Sequence, residues 1–464
     1  MSKLKRVFTH KSKLFLILVG MILALSCESP LGDEGTGGGS DGGSGGGSGG
    51  GGTITNKDGK VFPAWYLTEE EQKKELNMSE TLFYSTATPV QHYRIPAIVV
   101  AANGNIVAIC DNRHTKHGDI GQTSLSDLID IVYKISKDGG KTWSEEKIIL
   151  PKTTENNPAT ANNKGDALVF RHTDGTLVVL AVSGGGYAAA GSDATPSRML
   201  RSESVDNGET WSLWQEVGQE LFEKIKQEHG KKRGFATSGR GLTLKNGTFA
   251  AGLSVDGSSK GQGITFVYAY SKDKGKTWNY AGYIAGSADN SVTINEPKPI
   301  AELENGKILT SVRNAKAPNS GNNPRLYAVF NADGTGMPAK LSKWNFHDGS
   351  VDAEGVVWTR GSLEDKNRML HIQAGPYGRK GLKLYLSEDE GTIWKEIRTL
   401  LDGNTRACYA SMDVCGDGTV ITLAEEQTRD NKASNLQYDI VFRRYNMYDL
   451  TKEVYKTEWY KEVK

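Results

Sequence analysis

An all-β domain of radially or solenoidally repeated sheets is the fold predicted for residues 54–464, and three features predict it. From about residue 80 onward, short β-type runs alternate with glycine-containing turns. The motif S-x-D-x-G-x-x-W occurs four times, at Ser136–Trp143, Ser204–Trp211, Ser271–Trp278 and Ser387–Trp394. Helical periodicity is confined to two stretches, Thr68 to Glu75 and Glu216 to His229.

The first three motifs begin 68 and 67 residues apart and the last follows after 116, nearly twice that spacing. Regular intervals of this size are the mark of repeat architectures. Apolar runs such as Ile129 to Ile135, Thr265 to Tyr270 and Leu382 to Leu386 precede the motif, which places it on the turn between two strands. Its chemistry suits a hairpin. The Asp carboxylate accepts from turn amides, Gly supplies a positive φ, and Trp packs back on the sheet. Ser350 to Trp358 reads as a degraded fifth copy with one extra residue. A single carboxylate per motif provides too few ligands for Ca²⁺, so the role expected for it is structural.

The chain ahead of the domain reads as an export leader. Lys3, Lys5, Arg6, Lys11 and Lys13 lead into the apolar run Leu14 to Leu25, which ends at Ser26-Cys27. The run is short for a membrane span, and a Cys at its end resembles a bacterial lipoprotein site, so residues 1–27 are expected to be a lipoprotein-type signal with Cys27 as the lipidated anchor. Residues 28–53 form a Gly/Ser-rich linker; its purest part, 35 to 52, reaches roughly 23 Å as a random coil. The expected location is exported and membrane-anchored, periplasmic or at the cell surface. Cys110, Cys408 and Cys415 remain, which indicates no disulfide framework; Cys408 with Cys415 as a pair and two buried free thiols both stay open. A net charge of +1 argues against nucleic acid and leaves any positive field local. Two nearby loop histidines, His114 and His117, lack further ligands at metal-binding spacing, and no metal or cofactor is expected.

The four motifs are Asp boxes, and from about Tyr93 to Glu426 the chain resembles the sialidase superfamily, whose fold is a six-bladed β-propeller. Tyr93-Arg94-Ile95-Pro96 resembles the signature opening the first blade, and implies that Arg94 is the first of three arginines holding a substrate carboxylate. In Ile109 to Asp119, Arg113 corresponds to the arginine closing the second strand and Asp119 to the acid/base aspartate, with Asp127 the alternative on the same loop. Ile294-Asn295-Glu296-Pro297 and Leu309 to Arg313 imply Glu296 as general base and Arg313 as the second arginine. Arg379, just ahead of the fourth box, matches the third; Tyr409 matches the nucleophile; Glu425, or Glu426 beside it, matches the carboxylate that orients the first arginine.

These residue types fit one reaction. An anomeric carboxylate on the substrate would repel an attacking carboxylate, so a neutral phenol serves as nucleophile, as sialidases do. A phenol with pKa near 10 needs a close base, and three guanidiniums offset the substrate charge. The expectation is an exo-α-sialidase that hydrolyses terminal sialic acid with retention, acting as a monomer on sialylated glycans, glycoproteins or gangliosides. A trans-sialidase of the same chemistry and a non-catalytic propeller that binds acidic sugars are the alternatives.

Overall fold

A computed structural model describes residues 52–55, 59–114, 118–121, 128–149, 163–190, 196–256, 264–286, 291–316, 323–361, 366–376, 378–429 and 438–456. The leader with Cys27, the linker up to residue 51, His117 and Asp127 lie outside them.

The described chain is all-β and propeller-like, built from antiparallel sheets that follow one another along the sequence. Val90–Val100 pairs with Ile106–Arg113, then Ile129–Ser136, then Lys147–Ile148. The next sheet runs Gly165–Arg171, Leu177–Gly184, Ser197–Ser204, Gln215–Val217. A third contains Arg233–Ala236, Phe249–Asp256, Thr265–Ser271 and Asn279–Ala285, and a fourth Ile294–Glu302, Lys307–Asn314, Pro324–Asn331 and Ser342–His347. The long strand Lys395–Val414 serves two partners. Its first half pairs with Lys380–Ser387, beyond which lie Arg368–Gly375 and Glu354–Thr359. Its second half pairs with Val420–Glu426, followed by Asp439–Tyr445 and the early strand Met78–Phe83.

The core lies between sheets, so strands are buried on both faces and read as continuous apolar runs such as Ala97 to Val100. Each cluster joins two successive sheets. Val107 and Ile131 pack with Val179 and Leu200; Leu168 and Val178 pack with Phe249 and Val267; Phe266 and Tyr268 pack with Ile308 and Leu326. Leu309 then meets Met369 and Tyr385, and Leu370 and Leu382 meet Met412 and Val420. Leu423, Ile440 and Phe442 finally pack on Ile98, Ala108 and Val132, bringing the end of the chain back to its first sheet.

All four Asp boxes start on the last residue of a strand, at Ser136, Ser204, Ser271 and Ser387. In the first, Ser136 Oγ donates to Asp138 Oδ1 (2.8 Å), Gly140 N donates to Ser136 Oγ (2.7 Å), and Thr142 N donates to Asp138 Oδ1 (2.9 Å). Burial pushes the Asp138 carboxyl up, but the Thr142 and Ser136 bonds outweigh it and leave it below the usual range. Trp143, Trp211, Trp278 and Trp394 pack at the inter-sheet clusters, so each turn is tied to the core.

Ser350 to Trp358 is not a fifth box. Trp358 lies inside the strand Glu354–Thr359 and donates to Gly418 O (2.9 Å), while Asp352 is buried against Lys298. The extra residue prevents the short turn. The second helix spans Gln219–His229, shorter than expected, because Gln215–Val217 adds an edge strand and Gly218 turns the chain with φ +76. The first spans Glu69–Gln72 with a Thr68/Glu71 capping box, and a third helix, Met447–Thr451, carries an Asn446/Asp449 box that sequence periodicity did not reveal. Cys110, Cys408 and Cys415 are buried free thiols.

Candidate functional site

Strand irregularities place the side chains that matter. Arg94, Glu296 and Tyr409 stand at register shifts, between Arg94 and Ala97, Asn295 and Pro297, and Ala407 and Ala410 respectively. Bulges re-aim side chains at the rims of sheets. Ile95, Glu296 and Arg379 have φ of +56, +38 and +59, where non-glycine residues are rare and a β-branched one rarer. Such strain persists only where surrounding structure holds it. Pro297 follows from this local geometry: as a bulge neighbour it has no ladder bond to donate, and its carbonyl accepts from Thr237 Oγ1 (2.7 Å).

At the centre, the Tyr409 hydroxyl donates to Glu296 Oε1. Arg313 Nη1 donates to Glu296 Oε2 (2.6 Å) and to the Tyr409 oxygen (3.3 Å), while Arg313 Nε is buried with no hydrogen-bond partner. Burial pushes the Tyr409 phenol well above its usual range; the Glu296 charge adds to this, and Arg313 and Arg379 oppose it. Burial opposes the charge on Arg313, yet Glu296 and Tyr409 hold it above its ordinary value.

Glu425 ties a second group to this one. Its Oε1 accepts from Arg94 Nε (2.7 Å) and Ile95 N (2.7 Å), and its Oε2 from Tyr409 N (3.3 Å). The Arg94 guanidinium lies over the Tyr409 and Tyr438 rings, 5.7 Å and 5.4 Å from their centroids. Between the two glutamates the alternation of the strand decides: Glu426 faces the other way and pairs with Arg443. Arg379 is drawn up chiefly by the Cys408 thiol beside it, and both Arg94 and Arg313 repel it. Arg379 therefore lies in the field of both Arg94 and Arg313, a repulsion that an anion offsets.

Asp119 stands half-exposed at 52%, its Oδ1 accepting from Arg113 Nη1 (3.0 Å). Arg113 is 1% exposed and holds Asp111 Oδ2 as well (2.8 Å), with Asp166 Oδ1 at 3.6 Å. Burial drives Asp111 up to about 6 against the pull of Arg113, and drives Asp166 well above its ordinary value with help from Asp111 and Asp119. Ile120, next to Asp119, is buried against Ile129, Val182 and Phe235 and pins this loop to the sheet. His114 bonds to Asp130 Oδ2 at 3.1 Å.

Sequence reasoning missed Asp111, Asp166, Asp352 and Lys298. Asp111 had a signal, being two residues before Arg113 and hence on the same strand face. Asp352 was hidden by the resemblance of its segment to a box. Asp166 lies in an unmarked strand and Lys298 two residues past the marked Glu296, and only the packing of sheets shows their neighbours.

Residues 121–422 match the BNR repeat-like domain. The chain is similar to a sialidase of Micromonospora viridifaciens, 26% identical over 356 residues that make up 73% of this chain and 50% of that one. It is 25% identical over 350 residues to a sialidase of Bacteroides fragilis strain YCH46, covering 72% of this chain and 60% of that one. The chain thus spans half to three-fifths of the length of these relatives. Among solved structures, the Hadza microbial sialidase Hz136 superposes with a TM-score of 0.61 at 19% identity, over 81% of this chain and 69% of that chain, which shows a shared fold.

Proposed function

The chain belongs to the BNR repeat-like domain family, and from that premise we propose that it is a retaining exo-α-sialidase releasing terminal sialic acid from glycoconjugates. The observation that carries the reading is the Tyr409–Glu296 hydrogen bond, with Arg313 and Arg379 in the field of the phenol and Arg94 over its ring. A binding protein has no use for a nucleophile joined to a base. The sialidases similar in sequence support the same reading.

The chemistry follows from positions. The three arginines receive the substrate carboxylate, and Arg94 is oriented for this by Glu425. Glu296 takes the phenolic proton as the Tyr409 oxygen attacks the anomeric carbon, which removes the obstacle of a phenol pushed above its usual range. Asp119 protonates the leaving oxygen and then activates the water that cleaves the glycosyl–tyrosine bond. Two displacements at one carbon retain configuration. Arg113 steadies Asp119.

Six blades are counted if the long strand Lys395–Val414 contributes to two of them, a count that the sheet order supports. The leader, Cys27 and the Gly/Ser linker support an exported lipoprotein held clear of the membrane, acting as a monomer on sialylated glycans. Mass spectrometry of the mature N-terminus tests the anchor; an unlipidated Cys27 overturns it.

Purified protein given an aryl α-sialoside is expected to release the aryl group, with α-sialic acid as the first anomer seen by NMR. A folded protein without turnover sinks the enzyme reading and leaves the sugar-binding one. Sialyl transfer to added lactose as the main outcome replaces hydrolysis by transfer.

A further inference from the structure

The first strands of the sheets meet twice, once at each end. Arg94, Glu296 and Tyr409 stand near the starts of Val90–Val100, Ile294–Glu302 and the second half of Lys395–Val414, and these starts converge on the Tyr409 phenol. The ends of the same three, at Val99, Glu302 and Asp413, converge on a cavity of about 540 Å³ that the reaction as described does not use. From Glu296 to Glu302 the strand covers roughly 20 Å, so the two places are well apart. At the cavity, Arg240 is 17% exposed and donates Nε to Met412 O (3.1 Å) and Nη2 to Gly355 O (3.2 Å), which leaves Nη1 unused. Its nearest carboxylate oxygen, Asp413 Oδ1 at 3.7 Å, already accepts from Val414 N (2.9 Å). Arg171 and Lys245 also line the cavity, and neither has an ion-pair partner among the described residues; Arg360, the remaining guanidinium, is matched by Glu304 at 2.7 Å. Thr243 Oγ1, in the same wall, is buried with no hydrogen-bond partner. Glu302 Oε2 accepts from Lys245 N (2.7 Å), which leaves Oε1 as an open acceptor.

We propose that this cavity is a second ligand site, which binds a sugar of one or two rings carrying a carboxylate or a phosphate. The inference does not rest on the reading of Tyr409 and Glu296.

The chemistry of the wall selects this class. Main-chain carbonyls hold the Arg240 guanidinium in place but carry no net charge, so a largely buried cation keeps an open edge and gains from an anion. Arg171 and Lys245 add two further positive charges at the same place. The volume lies in the range of small-molecule sites and exceeds what a single inorganic ion fills. Val99, Ile300 and Val356 offer an apolar side for the C–H face of a ring, and Glu302 Oε1 accepts from a hydroxyl. The carboxylates of Glu302 and Asp413 repel a compact polyanion, whereas a sugar can set one anionic group on the arginines and its hydroxyls on Glu302.

Glucuronate, glucose 6-phosphate and glucose are titrated into wild type and into the double variant Arg171→Gln/Lys245→Gln by isothermal calorimetry. The three probes share one ring and differ in the anionic group, so the carboxylate and phosphate arms tell the two sources apart. At least one of the two anionic sugars is expected to bind wild type more tightly than glucose by roughly tenfold or more, and the double variant to lose roughly tenfold in that affinity, as charge-assisted bonds would give. The kcat/KM of the double variant for an α-sialoside stays at the wild-type value, because neither residue lies near Tyr409. If the double variant does not fold, Lys245→Gln decides, since the exposed Lys245 ammonium holds no other group: its affinity falls by roughly threefold or more. Binding that persists undiminished in the folded variant belongs to the arginines around Tyr409 and overturns the proposal. So does glucose binding as tightly as the anionic sugars, or no binding of either anionic sugar up to roughly 10 mM. Absence of turnover by wild type removes the sialidase reading and leaves this inference to be judged by the titrations alone.

Discussion

Tyr409 and Glu296, 113 residues apart in the chain, share a hydrogen bond in which the phenol donates to the carboxylate. Both sit at strand irregularities, and Glu296 holds a backbone conformation at φ +38 that disfavours any side chain. The relationship is thus maintained against local preference. Tyr409→Phe removes the nucleophilic oxygen and Glu296→Gln removes the base, and each is expected to lower kcat by roughly 10²–10⁴-fold. Steady-state kinetics beside circular dichroism checks this. Near wild-type rates in either folded variant would remove that residue from its role.

Glu425 joins Arg94, Ile95 and Tyr409 through three accepted bonds. Glu425→Gln keeps an acceptor but loses the charge and one acceptor position. We expect kcat/KM for an α-sialoside to fall roughly tenfold or more, mainly through KM, because a charge-assisted bond that orients Arg94 is weakened. An unchanged kcat/KM would show that Arg94 needs no such partner.

Gly121 follows the Asp119 loop with φ +72, and a Cβ there would lie 2.6 Å from Gly185 O. Gly121→Ala must therefore shift the segment that carries Asp119. A displacement of about 1 Å can cost on the order of 10²-fold, so kcat should fall strongly for substrates with poor leaving groups and much less for activated ones. Equal losses on both kinds of substrate would separate the loop from proton donation.

Asp206 in the second Asp box accepts from Thr210 N (3.0 Å) and Ser204 Oγ (2.7 Å). Asp206→Ala leaves the turn without its acceptor, at a cost of about 1.5–3 kcal/mol for bonds to a charged group. Thermal unfolding is expected to show a lower Tm with kcat/KM intact at 25 °C. A loss of activity at full stability would assign the boxes a role beyond the turn.

His371 is buried between Trp344, Phe346 and Trp394, and its Nε2 lies 3.0 Å from Ser311 Oγ. Burial holds its imidazole well below the usual range, with the charges of Arg325 and Lys298 adding to the effect. The unfolded chain takes up a proton near about pH 6.5 while the folded state does not, so the contribution of His371 is complete above that pH. It is lost as pH falls toward the folded value, by about 1.4 kcal/mol per unit. Urea unfolding at about pH 7, 6 and 5 should show a shallower decline for His371→Gln than for wild type. Parallel declines would exclude His371 as a source of acid sensitivity.

Local chemistry was legible in the chain. The boxes, their strand-terminal placement and the two early helices depend on bonds within a few residues, and each of those residues is visible in order. The order of arginines, carboxylates and tyrosine between the boxes also pointed to one set of side chains. Where a segment obeyed a different constraint, the reading failed. Ser350 to Trp358 carries the letters of a box, but Trp358 belongs to a strand and Asp352 to a buried ion pair with Lys298. Helix Met447–Thr451 is too short for periodicity to show.

The sequence by itself determined the repeated hairpin turns, the apolar strands and the identity of the groups able to do the chemistry, because these rest on backbone preference and residue type. Tertiary structure alone decided which of them meet. Glu425 rather than Glu426 faces Arg94 because strand alternation and register choose the face. Tyr409 reaches Glu296, and Asp352 reaches Lys298, because sheets far apart in the chain pack side by side. Those contacts span 113 and 54 residues, and only the closing of the sheets on one another brings such distances down to a hydrogen bond.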